Sequence, residues 1–355
     1  SGKPSLLRRG RGFPWDCIRT LVQDHIERSE GKMARASGNG GASALSSPPE
    51  HRGAPLGRSS RARWLQNGIV LITCVTMAVM MTQPVTAKLS THLITSRDTL
   101  VHYWNGWWAR EALSKGLPLT YTHYLFYPNG VSLIYHNIGW LNVAAWLVLQ
   151  LLMGGVAAYN VTLLFYLALC GVAAFLLIRE LTGNALAGML GMVVYQNWPA
   201  RLTRLNFPNL VNTACIPLSL LFLTRTLRRG KWHDGLLTGV FVALTAYTRW
   251  QQLIPAIIVI GIYLMVVSLQ QLCSDKGREA HRSLRQLWTA SRRRVFLLTS
   301  AGLVAVLALL PPAVMLIQQQ RATPTSLKEL ESEEYKGTDL LGYLTPGENH
   351  PVLGR

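Results

Sequence analysis

Apolar runs near twenty residues long recur along this chain, and they constrain its fold more than any other feature. A helix needs about 20 apolar residues to cross a bilayer core. Residues 64–82, 159–178, 185–194 (extendable to about 198), 210–224, 236–247, 253–269 and 295–317 meet or approach that length. The expectation is an all-α polytopic membrane protein with about seven transmembrane helices. Composition agrees: 49% of the 355 residues are hydrophobic and 15% are charged, against about a quarter charged in soluble domains. The formal net charge of +18 does not require nucleic acid, because Arg and Lys cluster between the apolar runs, as membrane topology demands. The cysteines (Cys17, Cys74, Cys170, Cys215 and Cys273) have no metal or disulfide spacing, and read as small apolar fillers.

An eighth run, residues 138–153, "IGWLNVAAWLVLQLLM", is settled by charge. If it stays on one side and the N-terminus is cytoplasmic, "RTLRRGK" and "SRRR" face inward, as the positive-inside rule requires. If it crosses, both flip. It is therefore expected to lie in or dip into the outer leaflet, with Asn142 and Gln150 suited to an interface. Residues 1–57 are rich in Gly, Ser and Pro and should be disordered, with Met33 a plausible start. Residues 58–317 form the membrane module, with a first outer loop at 84–157. Residues 318–355 read as another outer loop, cut short. The expected location is the cell (cytoplasmic) membrane.

The first outer loop opens with "SRDTLVHYWNGWWAREALSKG". On a helix starting near Asp98, Leu100, Trp104, Trp107 and Trp108 share one face, which predicts an amphipathic helix at headgroup level. Asp98 reads as an N-cap, or as a base able to reach a hydroxyl on a lipid-borne or water-borne substrate. In "THYLFYPNG" the Pro128-Asn129-Gly130 sequence signals a turn. Tyr124, Tyr127 and Asn129 also offer an interface or a surface for stacking on a sugar. In "YQNWPARLTRLNFPN", Arg201 and Arg204 suit either a phosphate or headgroup snorkelling, and Arg249 has the same two readings. No second acid lies in these two later outer loops, so no metal cage is expected there.

Together these features resemble the amino-terminal module of the C-type polytopic membrane glycosyltransferases. The shared features are a first helix leading into a large outer loop, an acid near that loop's start, juxtamembrane helices and a "RELTGN" turn between two later helices. Within that superfamily "YLFYPNG" and "DLLGYLTPGENHP" are similar to a bacterial branch of long membrane proteins. The resemblance covers about residues 64–354. It implies transfer of a sugar from a polyprenyl-phosphate donor to a glycan, lipid or protein acceptor outside the cytoplasm. The catalytic acid falls on Asp98, the donor phosphate on Arg201, Arg204 and Arg249, and substrate contacts on Trp104, Tyr124, Tyr127 and Asn129. Many members carry a second acid, sometimes with a divalent metal. This chain has Asn and Arg there, so no cofactor is implied. Two other readings stand beside it: a transporter or flippase of lipid-linked sugars, and a non-catalytic membrane subunit. Intramembrane charges would favour transport, but here the charges sit at the helix ends.

Overall fold

A computed structural model describes residues 60–94, 97–275 and 284–322. The expectations for residues 1–57, for most of the tail and for residues 276–283 of the basic stretch fall outside them. By contact density the chain divides after Leu309 into two units; the second contributes only the end of the last helix to the described residues.

The described residues are mostly α-helical. In order they are α1 (Ser60–Met81), a short 3-10 turn, α2 (Arg97–Lys115), the strands β1 (Tyr121–Thr122) and β2 (Val131–Ser132), α3 (Trp140–Met153), α4 (Gly155–Thr182), α5 (Ala185–Gln196), α6 (Pro199–Leu202), α7 (Pro208–Val211), α8 (Cys215–Arg229), α9 (Trp232–Thr248), α10 (Trp250–Asp275) and α11 (Leu284–Ala322). Among the described residues five segments are long and apolar enough to cross a membrane: Trp64–Met81, Gly155–Thr182, Pro208–Arg229, Trp250–Gln270 and Arg292–Ala322. The chain is thus compatible with a membrane-embedded protein. The sequence count was seven. The difference lies in α5, with 12 residues, and α9, with 17. At 1.5 Å per residue they span only about 18 and 26 Å, short of a hydrocarbon core of about 30 Å. With 14 residues, α3 is also too short to cross unaided.

The long helix α4 is the centre of the first unit, and α1, α3, α5 and α8 all pack on it. Its small residues Ala157, Ala158, Ala168, Gly171, Ala173 and Ala174 are buried, which lets neighbouring backbones come close, as interfaces within membranes require. Gly239 of α9 works the same way: a Cβ there would collide with the Ala301 carbonyl of α11.

The "RELTGN" turn has a clear local cause. Gly183 ends α4 at φ 70°, where glycine carries no steric penalty. Asn184 then caps α5, its side chain accepting from the Leu186 amide at 2.8 Å. Glu180, just before the turn, is held by Arg225 at 3.1 Å and by both oxygens on Arg229 at 2.7 and 2.8 Å. Arg228 bonds the Glu180 carbonyl. This clamp ties the end of α4 to the end of α8.

Candidate functional site

Opposite the Glu180 clamp, Tyr159 and Thr162 near the start of α4 line a narrow cleft that is partly open to its surroundings. His102, Gly106, Asn142, Trp146 and Pro208 also line it. The 21 positions from Tyr159 to Glu180 correspond to about 30 Å of helix. Cleft and clamp are therefore separated by about the thickness of a bilayer core.

One face of α2 borders this cleft. Asp98, His102 and Asn105 follow at i, i+4 and i+7, so they share a stripe. Asp98 falls inside the first turn of α2, not before it as an N-cap, and there its charge opposes the helix dipole's positive end favourably. It is half-buried, and the Asn206 side-chain amide donates to its Oδ2 at 3.4 Å. The His102 ring meets Phe207 edge-on at 6.2 Å. Asn105 Oδ1 accepts from the His136 Nε2 at 2.8 Å, so His136 carries its proton on that nitrogen.

The electrostatics join these residues to two arginines. Burial pushes the His102 imidazole down to about 4, the His136 and Arg249 fields push the same way, and Asp98 pulls against them. Burial also lowers His136. Both rings are neutral near pH 7. The half-buried Arg249 guanidinium is lowered first by burial and then by the charge of Arg204. His102 thus feels Asp98, His136 and Arg249, and Arg249 in turn feels Arg204. Arg204 is exposed, and Arg249 Nε rests on Gln251 Oε1 at 3.1 Å.

One cleft residue, Asn142, has buried polar neighbours. Asn212 Nδ2 donates to Asn142 Oδ1 at 2.8 Å, and Gln252 Nε2 donates to the Asn209 carbonyl at 2.6 Å. Asn142 Nδ2 and both side-chain amide atoms of Asn209 are buried with no protein partner. Buried amides of this kind are normally satisfied by water or ligand.

The other sequence candidates separate. Arg201 is 3% exposed. Its NH1 donates to the Tyr195 carbonyl at 2.6 Å and the Gln196 carbonyl at 3.2 Å, and its NH2 donates to Thr213 Oγ1 at 2.6 Å. Its guanidinium lies 4.9 Å from the Tyr195 ring centre. It closes the open carbonyls at the end of α5, a bracing position unlike the exposed one of Arg204. Trp108 is 1% exposed and donates to the Leu119 carbonyl at 3.2 Å. Trp104 stacks on it at 6.1 Å and meets His136 edge-on at 6.4 Å. The tryptophan face expected at headgroup level is turned into the protein; Leu100, Val101, Leu113 and Leu117 are the exposed apolar residues here.

Tyr124, Tyr127 and Asn129 belong to the β1–β2 hairpin, beside the other end of α2. Tyr124 donates to Glu111 Oε1 at 3.3 Å and accepts from Lys115 Nζ at 3.1 Å. Glu111 is thirteen residues beyond Asp98, about 20 Å along the helix. The hairpin is tightly braced. The Gly130 amide donates to the Phe126 carbonyl at 3.0 Å, the Tyr121 hydroxyl donates to the Asn129 carbonyl, and the His123 ring bonds the Pro128 carbonyl at 3.2 Å. Gly130, at φ 74°, has no room for a Cβ. Phe126 is held at φ 55°, which costs about 1–2 kcal/mol for a residue with a Cβ.

Among the described residues no group of three or more His, Cys, Asp or Glu is placed to hold a metal. No curated protein and no solved structure matches the chain. The sequence pattern of a domain of unknown function, DUF6311, matches residues 69–346, which is more than half of the chain. The chain belongs to the DUF6311 family. The DUF6311 match takes in both the cleft and the hairpin.

Proposed function

We propose that this DUF6311 protein transfers a sugar from a polyprenyl-phosphate carrier to an acceptor on the outer side of the cell membrane, with Asp98 as general base. The observation that carries this reading is that one carboxylate, Asp98, and one guanidinium, Arg249, both act on His102, which lines the cleft, with Arg204 acting on Arg249. Two positive charges less one negative leave a single positive charge, since His102 and His136 are neutral. That balance fits a singly charged phosphodiester, the linkage in a polyprenyl-phosphate sugar. The Asn142 amide, which lines the cleft with a bare donor, suits a sugar hydroxyl.

In the proposed step the acceptor oxygen attacks the anomeric carbon while its proton moves to the Asp98 carboxylate. The bond from that carbon to the phosphate oxygen breaks, and the electron pair leaves with the phosphate. The phosphate gains negative charge as it departs, so Arg204 and Arg249 stabilise the transition state more than the ground state. The acceptor sits on the open side of the cleft, where Asp98 is reachable. The basic end of α8, with Arg228 and Arg229, and Lys231 before α9 face the cytoplasm in this reading. Reconstituted full-length protein should move a radiolabelled sugar from a polyprenyl-phosphate donor to a membrane-derived acceptor fraction. A donor-dependent product absent with Asp98→Asn supports the assignment; no product with any donor tried, despite measurable donor binding, counts against it.

A further inference from the structure

The β1–β2 hairpin tip points two aromatic side chains away from the protein. Phe126 is 76% exposed and Tyr127 85% exposed. Folding gains nothing from burying them, yet the tip is rigid. Tyr124 packs edge-on against Trp107 at 5.6 Å, the bonds around Gly130 fix the turn, and Phe126 stays in a left-handed conformation that disfavours it. Such a rigid, strained presentation of apolar rings calls for a surface that receives them.

We propose that the tip, residues 125–127, seats in the headgroup layer of the bilayer that the same chain spans, and so fixes the far end of α2 against the membrane. Three observations favour lipid. The residues are of the type that collects at membrane–water interfaces, where an aromatic ring is half wet. Further apolar residues are exposed at this end of α2, Leu113 on the helix and Leu117 in the turn that follows it. Lys115 is ion-paired with Glu111 beside the Tyr124 ring, and the exposed Arg110 on the same end of α2 is suited to a phosphate headgroup. The tryptophans of α2 that sequence placed in this role are turned inward, and the hairpin aromatics take the position instead. The proposal depends on membrane embedding and not on sugar transfer.

The test uses the full chain with Cys17 and Cys273 replaced by serine, reconstituted in nanodiscs of phosphatidylglycerol and phosphatidylethanolamine. A polarity-sensitive fluorophore is attached at Phe126→Cys or, to keep Phe126 in place, at Tyr127→Cys, with Ser114→Cys as the exposed control. Spin-labelled lipid should quench both tip positions several-fold more than the control, and aqueous iodide should quench them less. Iodide quenching equal to that at residue 114 would show the tip in water and overturn the proposal. Protection from both quenchers would show protein covering the tip, and would overturn it equally.

Discussion

Asn206 donates its side-chain amide to the carboxylate of Asp98, 108 residues earlier in the chain, at 3.4 Å. This bond brings the segment between α6 and α7 onto the first turn of α2, and it aims the Asp98 carboxylate. Replacing Asn206 with alanine should leave the Asp98 carboxylate in place but less well directed. A hydrogen bond to a charged group contributes roughly 1.5–3 kcal/mol, so transfer should fall about ten-fold or more while carrier binding stays near normal. Initial rates and donor titration on the same preparation separate the two.

The two arginines of "ARLTR" should behave differently. Arg201→Ala strips partners from the Tyr195 and Gln196 carbonyls and from Thr213, so a loss of about 3 kcal/mol or more in stability is expected for breaking a buried charged network. Its melting temperature in detergent should drop. Arg204→Ala should melt like the parent and bind the phosphate donor about ten-fold more weakly. Equal melting temperatures for parent and Arg201→Ala, or unchanged donor affinity in Arg204→Ala, would remove these roles.

The pH dependence of stability follows from His102. Its value falls from 6.5 unfolded to about 4 folded, so between those values the unfolded chain binds more protons. Stability therefore rises with pH across that window, and about 3 kcal/mol is lost as pH drops from 6.5 to 4. His102→Gln should flatten this slope, leaving the contribution of His136, which burial lowers in the same direction. Melting temperatures at pH 4.5, 5.5 and 7 measure the slope directly, and an unchanged slope in the variant would refute the assignment.

Much of the helical framework was legible in the sequence, because apolar runs report burial in lipid and in protein alike. For the same reason the number of crossings was not. Residues 185–194 and 236–247 are as apolar as a span, but α5 and α9 stop short, at Gln196 and Thr248. The α2 tryptophans show a related limit. Helical spacing put them on one face but could not say that the partner was Leu119, Leu133 and Ile138 and not lipid. Asp98 and the pair Arg204 and Arg249 were visible as candidates. His102 and Asn105 were missed, although "DTLVHYWN" spaces them at i+4 and i+7 from Asp98, because the aromatic pattern on the same helix is the louder one. Arg201 could not be told from Arg204, since only the tight bend after α5 folds one of them under the helix end.

The Glu180 clamp offers a test of orientation. Lys231, beside the clamped end of α8, should react with a membrane-impermeant reagent, as Lys231→Cys, only after the membrane is opened. Tyr127→Cys should be equally protected from a water-borne reagent on both sides if lipid covers it. Strong labelling of Lys231→Cys in intact cells would reverse the topology and place Asp98 inside.

The central claim rests on the Asp98 carboxylate and is tested most directly by Asp98→Asn. Asparagine keeps the shape and can still accept from Asn206, and the loss of charge in the first turn of α2 costs only about 0.3–1 kcal/mol. The variant should insert, melt within a few degrees of the parent and bind the polyprenyl-phosphate donor. Sugar transfer by the reconstituted protein should fall roughly 10²-fold or more, the usual scale for removal of a general base. Turnover close to that of the parent would contradict the account and leave Asp98 as a helix-stabilising charge alone.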